Sequence, residues 1–463
     1  MRFKRFARSL MPGAVALLAA CDNGGTSGSS ANVSPLAAGT ASLVTPYQSV
    51  VFAKNGVPGS TLNLTYGYGS AAFHDPKDPA TDVWTVGDRG PNFGCSDKNK
   101  AGALYTGIDD FCTKADGSVD PDGVVFPTPG YIATLNHIRI EKDAQGALTV
   151  RVLEQIGLHD GHGRYVTGVS NPYAENPYDA TGSPIPFDAD GLDLEGLARL
   201  PDGSFWLSEE YAPSLVHVGA DGTVLERVVP AGVKAQLSNA TYPITEGLPA
   251  ILFKRKLNRG IENLGLAPDG KTLYFALQSP LANPDNNAYK KSRNVRFFSA
   301  ALKSDGSFDK VTHEYVLLLD TPDLFTQDSG AKQNDVKLSE LTVLPDGRPV
   351  IDERVTQTTK LERIDFSKAT DILGGKWDDP ATSPTLEQTD LSSVAAQTAA
   401  GVVPTAQTVV FDSAVDKPDL IGKIEGVALL DATYVLLTND NDFGIDGDPS
   451  QFVVLPIAAQ LAK

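Results

Sequence analysis

Sulfur and positive charge are scarce in this sequence. Its 463 residues include 3 cysteines and 2 methionines, and 39 Lys and Arg stand against 57 Asp and Glu, a formal net charge of −18. So few cysteines exclude a scaffold held by many disulfides. The charge argues against nucleic acid and anionic membrane surfaces as partners. The apolar run near the N-terminus, Ala14–Ala20, is too short for a permanent membrane span. There is no Gly-x-Ser-x-Gly elbow and no His-Glu-x-x-His pair. The Arg-His-Gly and Cys-x5-Arg signatures of phosphatases are missing too. An enzyme built on this chain therefore works without a covalent Ser or Cys of those types.

What the chain has instead is one pattern written repeatedly. Asp190–Tyr211 reads as a hairpin. An apolar strand from Leu192 to Leu200 is interrupted by Glu195, a Pro201-Asp202-Gly203 turn follows, and a short strand, Ser204–Ser208, runs out into Glu209, Glu210 and Tyr211. In such a turn Pro presets φ, Asp bonds the backbone ahead of it and Gly accepts positive φ. The pattern returns around Glu262 (Gly260–Gln278), Glu340 (Lys337–Arg354) and Glu425 (Lys423–Asp440), and a degenerate copy, Gly67–His74 with Val83–Gly90, comes first. Repetition on this scale predicts an all-β propeller of four-stranded blades. Five repeats are visible, and five or six blades are expected because the long connectors have room for another. An extended strand within Ala41–Phe52 has no hairpin partner nearby. It is expected to close the last blade beside Gln451–Ile457, which removes a free sheet edge.

The N-terminus has a basic start, a short apolar stretch and the ending Leu18-Ala-Ala-Cys21. This ending resembles a bacterial lipobox. The expected organisation is a signal peptide over 1–21, a Gly/Ser-rich tether over 22–40 and the propeller over 41–463. Cys21 would then be lipidated and would anchor a monomer to the periplasmic face of a bacterial membrane, inner or outer. An ordinary secretion signal with a free Cys21 is the alternative. Cys95 and Cys112 are the remaining pair, and a disulfide within the insertion Pro91–Pro129 is the simple reading.

In a propeller the first strands line the axis, so Glu195, Glu262, Glu340 and Glu425 converge there. Like charges brought together repel, and a bound cation relieves them. Oxygen-only ligands point to a hard ion such as calcium. Carboxylates hydrogen-bonded to backbone NH groups of neighbouring blades, or facing channel water, are the other reading. The second strands end on a common rim carrying Asp88, Arg89, Glu209, Glu210, Gln278, Glu353, Arg354 and Asn439–Asp442. Asp88, Arg89, Glu209, Glu210, Arg354 and Asp440 are the catalytic candidates. Arginines and a metal would hold a phosphate ester while a carboxylate activates water. Inter-blade salt bridges are the competing use of the same residues. Asp440–Asp448 offers oxygen ligands at alternate positions, as calcium loops do. Lys290, Lys291, Arg293 and Arg296 read as a solvated face or an anion-binding rim, and His159 and His162 as a solvated loop rather than a metal pair.

The hairpin from Leu194-Glu195-Gly196 to Ser208-Glu209-Glu210 resembles a bacterial family, the phytase-like "esterase-like activity of phytase" proteins. So do Ile261-Glu262-Asn263, Glu340 with Asp352-Glu353-Arg354, Ile424-Glu425-Gly426 with Asn439-Asp440, and Gly87-Asp88-Arg89-Gly90. The resemblance covers roughly Tyr66 to Ile457. It implies a propeller and a phosphoric-ester hydrolase acting on a small-molecule substrate. Two further classes suit the same body: a metal-dependent lactonase or sugar-ester hydrolase, and a non-catalytic propeller that binds a ligand or partner. Basic side chains beside the metal would favour phosphate. An apolar-walled, carboxylate-only pocket would favour the lactonase, and a channel plugged by bulky side chains would favour binding.

Overall fold

A computed structural model describes residues 35–54, 57–95 and 111–463. Cys21, its lipobox, residues 22–34 of the expected tether and residues 96–110 of the insertion lie outside the described residues. Among the described residues no helix is long and apolar enough to cross a membrane.

Five sheets carry the fold. Four have four strands each, and one has five. The first comprises Ala71–Phe73, Asp82–Val86, Thr134–Lys142 and Leu148–Gly157. The second comprises Leu194–Arg199, Phe205–Glu209, Ser214–Val218 and Val224–Pro230, with Ile244–Leu248 added in parallel. The third comprises Ile261–Leu266, Thr272–Leu277, Asn294–Leu302 and Phe308–Leu318. The fourth comprises Lys337–Val343, Pro349–Arg354, Thr359–Asp365 and Ala406–Asp412. In the fifth, Ile424–Leu429, Val435–Asn439 and Ser450–Leu455 are joined by Gly39–Leu43 from the chain's beginning. The first strands pack side by side in chain order, and that of the fifth sheet returns to that of the first. The arrangement is propeller-like. Apolar side chains fill the seams between successive sheets: Trp84 and Phe205 in one, Phe275 and Leu341 in another, Leu361 and Val427 in a third, Ile138 and Phe452 in a fourth.

The repeated turn works as its residues dictate. Asp202 Oδ1 accepts from Ser204 N at 3.0 Å, and Gly203 sits at φ +93°. Asp269 and Asp346 make the same turn bond to Lys271 N and Arg348 N. Residues 265–272, Gly-Leu-Ala-Pro-Asp-Gly-Lys-Thr, have the spacing of a P-loop, yet they are one of these hairpin turns between antiparallel strands. No helix follows them to cradle a phosphate.

At the opposite end of the first strands every sequence-derived glutamate meets a bulge. Leu194 pairs with Glu209 and Gly196 with Ser208, so Glu195 is extruded from the ladder. Glu262 and Glu425 are extruded in the same way, between Ile261 and Asn263 and between Ile424 and Gly426. A bulge of this kind re-aims one side chain while the rest of the strand keeps its register. The fourth sheet departs from the pattern. Leu338 pairs with Glu353 and Leu341 with Ile351, which leaves both Ser339 and Glu340 opposite Asp352. Ser339 therefore occupies the place of the other glutamates, and Glu340 that of Gly196, Asn263 and Gly426.

Other expectations change in detail. The extended stretch Ala41–Phe52 divides into Gly39–Leu43, which closes the fifth sheet with Ala41 opposite Phe452, and Pro46–Lys54, which forms a separate hairpin with Val57–Thr65. Asp378–Pro418 is not wholly an insertion, because Ala406–Asp412 within it is the outermost strand of the fourth sheet. The loop after Gln278 contains a helix, Asn286–Lys291, capped by the Asp285 side chain. Arg296 is not on a rim but buried, against Glu314 at 2.5 Å and Asp378 at 3.0 Å. His159 directs its two ring nitrogens at the carbonyls of Asp160 and Asp221. Cys95 and Cys112 form a disulfide with Cα atoms 5.8 Å apart.

Closure by Gly39–Leu43 has a measurable consequence. A chain starting at Val44 exposes the edge of Ser450–Leu455. It is expected to melt several degrees lower than the full chain and to self-associate in light scattering. An unchanged melt and a monodisperse solution would show that the strand does not seal the fifth sheet.

Candidate functional site

The bulges bring two glutamates into a larger acidic group. Oxygens of Glu195, Glu210 and Glu262 lie within 4.8 Å of one another, as do those of Asp88, Asp193 and Glu195. The five carboxylates form one continuous cluster through Glu195. All except Asp88 are buried. Gly260 permits this approach, because a Cβ there would stand 2.2 Å from the Glu210 carbonyl oxygen. Glu210 Oε1 and Glu262 Oε2 are buried and accept no hydrogen bond.

The crowding shows in the acidities. The Glu195 carboxyl is held well above its ordinary range by burial first, then by Glu262, Asp193, Asp88 and Glu210. Asp193 is raised by burial and Asp88, with Arg89 opposing. Glu210 is pushed up to about 8 by burial and Glu262, against the pull of Arg259 and Arg89. Buried carboxylate oxygens without donors are the chemistry a hard cation satisfies, and the donor set holds only oxygen. The residues fit calcium or a similar ion.

The remaining sequence candidates fall into different settings. Glu340 does not join the cluster. Its Oε2 accepts from Ala72 N of the first sheet at 3.0 Å and its Oε1 from Leu341 N at 2.8 Å. Glu425 is bound by the Arg354 guanidinium, which also donates to Ser339 Oγ at 2.7 Å and to the Val355 carbonyl. Glu209 is wholly enclosed. It accepts from Arg227 Nη2 at 2.6 Å, Ser214 Oγ at 2.7 Å and Tyr211 N at 3.0 Å. Arg89 lies 3.3 Å from Asp193 and 3.5 Å from Glu175, with its guanidinium over the Tyr211 ring. Asp440 and Asp442 share Lys423 Nζ at 2.8 and 2.7 Å, so one ammonium offsets part of the charge at the start of the acidic loop. Burial lifts the Asp440 carboxyl to about 6, with Lys423 opposing and Asp442 and Asp88 adding to the rise.

The cluster also draws on residues the sequence reading passed over: Asp193, Glu175, Arg259, Lys337 and Lys423. Four of these five stand at or just before the start of a first strand. Antiparallel pairing sets that start beside the end of the second strand, as Leu194 with Glu209 and Lys337 with Arg354 show. The signal was present in Asp193-Leu-Glu195 and Lys423-Ile-Glu425, two residues ahead of each glutamate. Arg259, Lys337 and Lys423, with Arg89 and Arg354, place cationic side chains around the acidic group.

Two measurements test this electrostatic account. The folded pKa of Glu210 lies above its ordinary value, so its stabilising contribution is complete below about pH 4.5 and is lost as pH rises through about 8. In chelator at pH 9, Glu210→Gln should therefore stabilise the protein by at least about 1.4 kcal/mol, the worth of one pKa unit. At pH 5 it should be nearly neutral. Equal denaturant midpoints for variant and wild type at both pH values would contradict the account. Arg227→Met leaves Glu209 buried without its counter-charge and should cost about 3–5 kcal/mol in denaturant unfolding.

A family model described as "Phytase-like: Esterase-like activity of phytase" matches residues 128–443. An uncharacterized secreted protein of Arthroderma benhamiae is 26% identical over 295 residues, 57% of this chain and 56% of its own length. The chain thus spans about half the length of that relative. Among solved structures, a luciferin-regenerating enzyme aligns at 12% identity and TM-score 0.32, over 88% of this chain and 95% of its own. The calcium-binding protein regucalcin from Agrobacterium tumefaciens aligns at 12% and 0.32, over 85% and 94%. A gluconolactonase from Xanthomonas campestris aligns at 10% and 0.28, over 91% and 99%. At these values the structural likenesses are remote.

Proposed function

Because the chain belongs to the phytase-like family, the proteins described by the esterase-like activity of phytase, we propose that it is a calcium-assisted hydrolase of phosphate esters. We propose it further as a five-bladed propeller, a monomer lipidated at Cys21 and held at the periplasmic face of a bacterial membrane. The observation that carries the phosphate reading is the company the carboxylates keep. Arg89, Arg259, Lys337, Arg354 and Lys423 stand around the acidic group, and Arg259 and Lys337 are within electrostatic reach of Glu262. A lactone or neutral sugar ester has no anionic group for these cations to meet. A phosphate ester does.

In this reading Asp88, Asp193, Glu195, Glu210 and Glu262 hold the ion. When bound, it would offset part of their charge and would polarise a phosphoryl oxygen. Arg89 and Arg354 are fixed by their own carboxylates and face the phosphate as oriented charges. Asp440, with an acidity near 6, accepts the proton of the attacking water. The water oxygen bonds to phosphorus, the ester P–O bond breaks, and the departing alkoxide takes a proton from solvent while Asp440 gives its own back to solvent. Glu209 shapes the site through Arg227 and Ser214 without touching substrate, and Glu340 ties the fourth sheet to the first.

Hydrolysis of p-nitrophenyl phosphate, measured with calcium and with chelator, tests this. Glu262→Gln should lower kcat/KM by on the order of 100-fold, as expected for loss of a metal-holding charge. Asp440→Asn should remove the rise in activity through about pH 6. Calcium at 100 times its dissociation constant should stabilise the wild type by about 2.7 kcal/mol, and Glu262→Gln should lose most of that shift. Glu340→Gln should keep the shift while lowering stability by about 1–3 kcal/mol. Turnover of a δ-lactone in place of the phosphate ester would overturn the reading. So would a calcium response that Glu340→Gln abolishes and Glu262→Gln leaves intact.

A further inference from the structure

A second group of acids lies apart from the first, where the third sheet meets the fourth. Oxygens of Asp320, Glu353 and Glu362 stand within 4.8 Å of one another. Strand pairing brings two of them together. Glu353 is opposite Lys360 and Ile351 is opposite Glu362, so Glu353, Lys360 and Glu362 share one face of the fourth sheet. Arg354, on the alternate face, is bound to Glu425 instead. Asp320 arrives from just beyond Phe308–Leu318 and donates its backbone N–H to Glu353 Oε1 at 2.7 Å.

The charges here are only partly answered. Lys360 Nζ holds Asp320 Oδ2 at 2.7 Å. Glu362 Oε2 accepts from the neutral Gln407 amide at 2.7 Å. Glu353 is wholly enclosed, and its Oε2 accepts no hydrogen bond. Burial and Asp320 lift the Glu362 carboxyl to about 7. A cavity of about 430 Å³ opens onto Asp320 and Glu362, with room for an ion and several waters. Arg293 lines it as well, with its Nε turned to the Leu319 carbonyl. So does Thr405, which is only 6% exposed and whose Oγ1 has no hydrogen-bond partner. That hydroxyl is an oxygen donor outside the acidic group, left without a partner on the same cavity.

We infer that Asp320, Glu353 and Glu362 form a second cation site, separate from the central cluster, that takes calcium, with Thr405 supplying a neutral oxygen. Calcium stands about 2.3–2.6 Å from each ligand, so oxygens sharing one ion lie no more than about 5 Å apart, a limit these three meet. The ion would tie Asp320 of the third sheet to the second and third strands of the fourth. Through Thr405 it would also hold the start of Ala406–Asp412, the strand that returns after a long excursion. With three carboxylates and with Lys360 and Arg293 nearby, this is the weaker of the two sites and fills after the central one. The inference does not rest on the hydrolase reading.

The test is calcium chloride titrated calorimetrically into the chelator-stripped full chain at pH 8. Wild type should bind one calcium more than Glu353→Gln, and one more than Glu362→Gln. Glu262→Gln should keep the outer ion. Equal stoichiometry in wild type and both outer variants would mean that protons alone hold Glu353 and Glu362 together, and would overturn the site. Hydrogen exchange keeps the test decisive if the outer variants do not fold. It is measured in Glu262→Gln, whose outer acids are intact. There calcium at ten times its dissociation constant should slow exchange of Thr359–Asp365 and Ala406–Asp412 about tenfold. Exchange in these strands that ignores calcium would overturn the inference. Calcium bound only through Glu353 and Glu362 would keep this site and sink the metal-assisted hydrolase. Calcium bound only through Glu262 would do the reverse.

Discussion

Repulsion among buried carboxylates is the constraint around which this protein is arranged. Two unit charges 4.8 Å apart interact by about 3 kcal/mol at an effective dielectric near 20. Glu195, Glu210 and Glu262 make three such pairs, so full ionisation would cost about 10 kcal/mol before Asp88 and Asp193 are added. That is comparable to the whole stability of an ordinary domain, about 5–15 kcal/mol. The group therefore holds protons or a cation. The bulges that extrude Glu195 and Glu262 from their ladders are what bring the charges together. A regular strand would return these side chains to the sheet faces.

The same end of the molecule shows how other acids are made harmless. Glu209 is enclosed with Arg227, Glu425 with Arg354, and Asp440 and Asp442 with Lys423. Glu340 is met by two backbone NH groups. These arrangements give each carboxylate its own donors. Glu210 and Glu262 differ from these acids because each keeps a buried oxygen without a donor, as Asp193 beside them does. Glu209, Glu340 and Glu425, each with its own donors, read as structure, and the mutual approach of Glu195, Glu210 and Glu262 reads as a ligand site. That contrast separates Glu262 from Glu340, which look alike in the repeat.

The hairpin with its Pro-Asp-Gly turn was readable because turn chemistry is local; the closing strand was readable only in part, because Gly39–Leu43 closes the fifth sheet while the rest of Ala41–Phe52 pairs with its neighbour Val57–Thr65. Pairing across a bulge was harder to read. Leu338-Ser-Glu340 and Leu194-Glu195 differ by one residue, and only the register at Ile351 shows that Ser339, not Glu340, occupies the glutamate place. The outer strand Ala406–Asp412 escaped notice because about forty residues separate it from Thr359–Asp365. Loop-closure cost grows slowly with length, so such an excursion is tolerated. The cations Arg259, Lys337 and Lys423 are harder to read because they stand at or before the starts of first strands, far in sequence from the rim residues they join. Antiparallel pairing brings the starts of first strands to the same edge.

Net charge and local charge point in opposite directions here, and distance decides between them. At physiological ionic strength the field of exposed charges is screened over about 8 Å. An anion far from the surface therefore senses little of the −18 total. Close to the acidic cluster it meets Arg259 and Lys337, both within electrostatic reach of Glu262. A neutral ligand gains nothing from those cations, and a cation is repelled by them until it reaches the carboxylates beyond. An acidic protein can in this way present a cationic approach to an anionic centre.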